Sequence, residues 1–164
     1  MVGTSNYRPW GSLYWVLDGL PKAEFAFVGC VGTEDRCVAA FEEMVRRGIV
    51  SNKSFAEDLD IESDYSDLAS AKRLENRRKL TSLGLRDSEI SSIGLLDKEE
   101  AIVLWIKSYL ATSERLILDI SSLPKRFFFP AIRLLLKQKS IKDLLVCYTV
   151  PSEYHSGSIA ERPS

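Results

Sequence analysis

The sequence predicts an α/β fold, a Rossmann-like parallel sheet covered by helices in three layers, and three observations predict it. Short apolar runs of the kind that fill a strand buried on both faces recur along the chain, as EFAFVGCV, RLILDIS and KDLLVCYTV. Segments with helical spacing separate them, which is the order that βαβ units and right-handed crossovers require. With 164 residues, 45% hydrophobic and 27% charged, the chain has the size of one domain around one core. A single Rossmann-like domain is expected over residues 1–150, including an N-terminal aromatic arm at 1–22, with a polar tail at 151–164.

The arm contains WGSLYWVLDGLP, whose Trp10, Tyr14 and Trp15 suit an extra helix that packs on the core or on a partner. The run from Glu24 to Val31 is apolar on nearly consecutive positions, as in a central strand. The following GTEDRCVAAFEEMVRRG opens at Thr33 as N-cap, carries Glu34 and Asp35 where a helix dipole favours acids, and closes at Gly48. IVSNKSF reads as a second strand, and the acidic AEDLDIESDYSD after it as an exposed loop. LASAKRLENRRKLTSLGL has helical spacing through Leu68, Leu74 and Leu80 with a basic outer face. DSEISSIGLL carries no decisive pattern.

KEEAIVLWIKSYLATS sets Ile102, Val103, Ile106 and Leu110 along one helix face, and RLILDIS is a strong short strand. PKRFFFPAIRLLLKQ begins a helix near Pro124, where proline is tolerated, while Pro130 is expected to kink that helix or delay its start. KDLLVCYTV is the last strand.

Charge and composition exclude several classes. Lys and Arg total 22 against 23 Asp and Glu, so the net charge of -1 gives no global pull on nucleic acid or anionic membranes. Lys72, Arg73, Arg77, Arg78 and Lys79 do cluster, yet no aromatic interleaves to stack on bases, and a solvated helix face is the expectation. The apolar runs fall short of the ~20 residues of a membrane-spanning helix. The N-terminus lacks a basic region followed by an apolar core, so a cytoplasmic location is expected. One His (His155), no CxxC pair and no imidazole-flanked acidic cluster leave no expected metal site or cofactor. Cys30, Cys37 and Cys147 cannot all pair and read as buried free thiols.

In open parallel sheets ligands bind beyond the carboxyl ends of strands, where the loops diverge. Two such ends are polar here. One leads through Gly32, Thr33 and Glu34 to Arg36, the other from Asp119 through Ser121 and Ser122 to Lys125 and Arg126. A helix N-terminus attracts phosphate or carboxylate, hydroxyls and lysine add donors, and arginine grips a phosphate through two parallel hydrogen bonds. Gly32, Thr33, Arg36, Asp119, Ser121, Ser122, Lys125 and Arg126 are therefore the expected ligand-binding set, for a nucleotide or other phosphorylated small molecule. The plainer alternative is that Ser122 caps a helix and that Lys125 and Arg126 are solvated.

LDISSLPKRFFFPAIRLLLKQKSIKDLLVCYTV resembles the hydrophobic-Asp-hydrophobic-Ser, Lys, helix, strand pattern of CARF domains, Rossmann-like sensors of cyclic oligoadenylates in CRISPR-linked defence proteins. The family's glycines before the Lys are here Ser122, Leu123 and Pro124. The resemblance implies a sensor in a prokaryotic defence or signalling system, with Asp119, Ser121, Ser122 and Lys125 lining a nucleotide pocket, and a homodimer or an effector protein as partner.

Enzymatic alternatives remain open at this point. Cys30 and Arg36 stand at Cys-x5-Arg spacing between a strand and a helix, as in tyrosine phosphatases, where a thiolate attacks phosphorus. Glu34 and Asp35 would oppose a dianionic phosphate there. Glu34 or Asp35 beside Asp119 would instead suit glycosidic cleavage of a nucleoside or NAD. Arg36 also has bland partners, Asp35 or Glu43. A third class is a protein-interaction domain that uses the aromatic arm.

Overall fold

The computed structural model describes residues 11–20, 23–59, 66–94, 97–110 and 113–151. In chain order the elements are α1 (Leu13–Gly19), β1 (Phe25–Val31), α2 (Arg36–Arg46), β2 (Val50–Leu59), α3 (Ser66–Ser82), a 3-10 turn (Asp87–Glu89), β3 (Ile90–Gly94), α4 (Glu99–Leu110), β4 (Arg115–Asp119), α5 (Lys125–Leu135) and β5 (Asp143–Cys147). The strands form one all-parallel sheet in the order β3-β2-β1-β4-β5. This is the expected α/β, Rossmann-like three-layer fold.

β1 lies at the centre, and all seven of its residues are buried because helices cover both faces. Its side chains alternate between two cores. Ala26, Val28 and Cys30 join Leu116 and Leu118 of β4 beneath α4 and α5, which contribute Ile102, Trp105, Ile106, Phe127, Ala131 and Leu135. Phe25, Phe27 and Val31 face the other way, with Phe41 and Met44 of α2, Leu80 of α3 and Leu17 of α1. There Phe27, Phe41 and Phe55 form a cluster with ring centroids 5.2 to 5.6 Å apart. A side chain on Gly29 would stand 2.9 Å from the Phe55 ring, so the cluster needs glycine at that position.

α2 begins at Arg36, so its cap is Asp35 and not the expected Thr33, and no side-chain cap bond forms. Cys37 N–H and Val38 N–H donate to the Glu34 and Asp35 carbonyls, so the chain turns tightly before the helix starts. The expected ending is present: Gly48 takes φ +67°, a left-handed value that favours glycine. Glu43 is held by both Arg46 and Arg47, and the Arg47 hydrogen bond first, then Arg46, keeps its carboxyl below the usual range. Arg47 also reaches Asp18, which ties α1 to α2. In α1 Leu17 is buried, while Tyr14 and Trp15 are exposed. Trp10, His155 and the tail at 152–164 lie outside the described residues.

Three further expectations are corrected. β2 continues through Ala56, Glu57 and Asp58, part of the stretch read as an acidic loop; Ala56 pairs with Cys30 and Ser91, and Arg77 neutralises Glu57 at 2.8 Å. Residues 60–65 of that stretch, like the side chain of Leu110, lie outside the described residues. In α3 Leu68 and Leu74 are exposed, and the buried residues are Arg73, Asn76 and Leu80. Pro130 does not delay α5, which starts at Lys125 directly after Pro124 and runs through it. The undecided DSEISSIGLL supplies the 3-10 turn and the edge strand β3.

Candidate functional site

The strand order reverses between β1 and β4. α2 leaves the carboxyl end of β1 on one face of the sheet and α5 leaves that of β4 on the other, which makes this the topological switch point. The two polar loops singled out in the sequence are thus neighbours. Ser122 Oγ donates to the Cys30 carbonyl at 3.4 Å, and a Cβ added at Gly32 would stand 2.7 Å from Ser122 Cβ. Only glycine at position 32 lets the loops approach this closely.

Asp119 ends β4 with its side chain on the Ile117 side of the strand, beneath α2, by the alternation that places Leu116 and Leu118 beneath α5. It is 3% exposed. Its Oδ1 accepts from Ser121 N–H at 2.9 Å and from the Ser121 hydroxyl. Burial pushes its pKa up to about 6, against the pull of the Ser121 hydrogen bonds, the Cys147 thiol and the positive charge of Arg36. Ser121 Oγ in turn accepts from Thr149 N–H at 2.8 Å, and Ile120 N–H donates to the Cys147 carbonyl. Asp119 and Ser121 therefore fasten the end of β4 to the end of β5.

Arg36 lies over this fastening. Its Nη1 donates to the Tyr148 hydroxyl at 2.6 Å, its Nη2 to Glu34 Oε1 at 3.0 Å, and its Nε is 2.5 Å from Glu34 Oε2. The guanidinium also stands 5.0 Å from the Tyr148 ring centroid. Glu34, then Tyr148, raise its already high pKa. The partner of Arg36 is thus Glu34, not Asp35 or Glu43. Asp35 turns away to Lys79 and Lys72 of α3, at 3.0 and 3.1 Å, and these hydrogen bonds lower its pKa.

On the α5 side Pro124 occupies the cap position without a side-chain cap, and Phe127 and Phe128 N–H both turn to its carbonyl. Among the described residues the N–H groups of Lys125 and Arg126 have no backbone acceptor, as in the first turn of any helix. Lys125 and Arg126 are both exposed. Arg126 Nη2 donates to the Asp97 carbonyl at 2.6 Å, and Asp97 in turn accepts from Gly94 N–H. Arg126 thereby braces the loop after β3 against α5. Thr33 is exposed on the opposite lip.

The arrangement does not suit the enzymatic readings. The Cys30 side chain is buried among Val28, Ala56 and Leu118 on the α5 face, where a thiolate would be unsolvated and out of reach. Cys37 is likewise buried, and burial pushes its pKa to about 11. Cys147 is raised well above the ordinary thiol value too, by burial and then by Asp119. Glu34 is exposed and neutralised by Arg36, whereas Asp119 is enclosed, so the two carboxyls do not face one substrate.

Sequence reasoning missed Tyr148, Thr149 and Asn76. The first two matter because β5 is hydrogen-bonded beside β4, which spacing does not reveal. Asn76 of α3 is fully buried, and its Nδ2 donates to the Gly32 carbonyl at 2.9 Å, which fixes the β1–α2 loop. A short polar residue on the inward face of a helix otherwise rich in charge was the available signal. Comparison of the chain with protein-family profiles, curated proteins and solved structures finds no match.

Proposed function

We propose that this domain binds a phosphorylated small molecule, a nucleotide by class, across the lip between the β1–α2 loop and the start of α5. The observation that carries this reading is the meeting of two polar strand ends at the switch point, sealed by Gly32 against Ser122. Three features favour an anion there. The first turn of α5 offers unpaired N–H groups and the positive end of its dipole. Lys125 is exposed beside them. Arg36 already presents its fork to a carboxylate, that of Glu34, and guanidinium geometry accepts a phosphate in the same way. Asp119 and Ser121 support the floor rather than touch the ligand, since both are buried and bonded to each other. This role is binding, sensor-like, with no bond broken.

The test is a thermal-shift screen of the chain against mononucleotides, NAD, cyclic dinucleotides and cyclic oligoadenylates, with phosphate and sulfate as controls. A ligand at a hundred times its Kd stabilises by about 2.7 kcal/mol, or roughly 5 to 10 °C for a domain of this size. Arg36→Ala and Lys125→Ala should each suppress the shift. A flat screen rejects the reading, and a shift indifferent to both substitutions moves the ligand elsewhere.

A further inference from the structure

Arg36 is held from two sides by partners of unequal firmness. On one side are the residues just after β5: Nη1 donates to the Tyr148 hydroxyl at 2.6 Å and to the Thr149 carbonyl at 3.4 Å, and the guanidinium lies 5.0 Å from the Tyr148 ring centroid. The Arg36 side chain is 18% exposed. On the other side is Glu34, whose side chain is 53% exposed. Its two oxygens take Nε and Nη2 side by side, at 2.5 and 3.0 Å. Among the described residues Arg36 is the only partner of the Glu34 carboxylate.

That pair of parallel donors is the one with which an arginine grips a phosphate. Glu34 therefore sits where a phosphoryl group would, and its tether of two residues keeps a competing anion at the fork whatever the solution contains. The rest of the guanidinium does not depend on it. When Glu34 swings out, Tyr148 and Thr149 keep Arg36 in place, and an exposed ion pair of this kind costs little to break. Once turned out, the carboxylate still stands beside the anion that replaced it and repels it.

We propose that Glu34 is a specificity-determining residue, an internal anion that keeps free phosphate and sulfate off Arg36 and yields only to a phosphorylated ligand with further contacts. This rests on the ligand reading above and says which ligands the site admits. A small anion exchanges one ion pair for another at Arg36 and meets the Glu34 charge as well, so it gains nothing. A larger phosphorylated molecule that also reaches Lys125 and the first-turn N–H groups of α5 adds contacts that Glu34 cannot supply. The neighbouring carboxyls do not share this role. Asp35 is engaged by Lys72 and Lys79, and Asp119 is enclosed with Ser121.

Titration with inorganic phosphate at constant ionic strength, read by thermal shift, tests this with a probe that needs no knowledge of the natural ligand. The wild type should show no saturable shift through the millimolar range, whereas Glu34→Ala should bind phosphate about tenfold more tightly. Glu34→Gln keeps the shape without the charge and should gain in the same direction. Adding Arg36→Ala to Glu34→Ala should abolish the gain. Glu34 is exposed and lies ahead of α2, so both single variants should melt like the wild type in phosphate-free buffer. A wild type that binds phosphate as tightly as Glu34→Ala, or a gain that survives Arg36→Ala, would overturn the proposal. The nucleotide screen answers separately: a flat screen beside a phosphate gain in Glu34→Ala rejects the nucleotide reading and keeps the Glu34 block, whereas a nucleotide shift in the wild type with no phosphate gain in the variant rejects the block alone.

Discussion

Replacing Asp119 by Asn should change how stability depends on pH, in a direction opposite to that of an ordinary carboxylate. The side chain is 3% exposed, and burial moves its pKa from the usual 3.8 to about 6. At ~1.36 kcal/mol per pH unit, a rise of about two units means that ionising this carboxyl inside the fold costs about 3 kcal/mol more than in the unfolded chain. Between about pH 4 and pH 6 the folded state keeps a proton that the unfolded state has released, so this group's contribution falls as pH rises and is level above that window. Asn keeps an oxygen for both Ser121 donors and cannot ionise. Urea unfolding followed by tryptophan fluorescence, for both proteins across this range, should show the variant gaining about 3 kcal/mol on the wild type from acid to neutral pH. Parallel stability curves would refute the claim that Asp119 is ionised at a cost in this enclosure.

Two further outcomes follow from the same corner. Gly32→Ala drives a Cβ to 2.7 Å from Ser122 Cβ and should cost about 1 to 3 kcal/mol, largely recovered when Ser122→Gly is added; a single variant that melts like the wild type would show that the loops separate freely. Ser121→Ala removes the hydroxyl bond to Asp119 and the acceptor of Thr149 N–H, and should cost about 1 to 3 kcal/mol while moving the Asp119 titration still higher. Unchanged denaturant midpoints across the pH range would sink that account.

Where burial decides structure, the sequence could be read. β1 and β4 are apolar on successive positions because helices cover both faces, and α2 and α5 follow them with clear helical spacing. The two loops at the switch point were legible for the same reason, since the strands that deliver them were. What misled was polarity with a distant partner. Glu57 and Asp58 looked like loop, but Arg77 supplies the counter-charge that lets β2 continue. Leu68 and Leu74 looked like the inward face of α3, yet the helix turns Arg73 and Asn76 inward, with Asn76 holding the Gly32 carbonyl. At the site itself spacing could name Arg36 and Asp119 but not their partners. Tyr148 and Thr149 reach them only through the pairing of β5 with β4.

The strand order also fixes when the switch point can exist during folding. β1, β2 and β3 are joined by short excursions through α2 and α3, and this half of the sheet can assemble as soon as its own residues are present. β4 must come back past β2 to reach β1, and Ala26 lies beside Leu116, more than half the chain away. Closing so long a loop is slow relative to the local pairings. On a growing chain the β1–α2 loop therefore waits, complete but unopposed, until the last two strands emerge. The Gly32–Ser122 contact is then made in the same late event that joins the halves of the sheet.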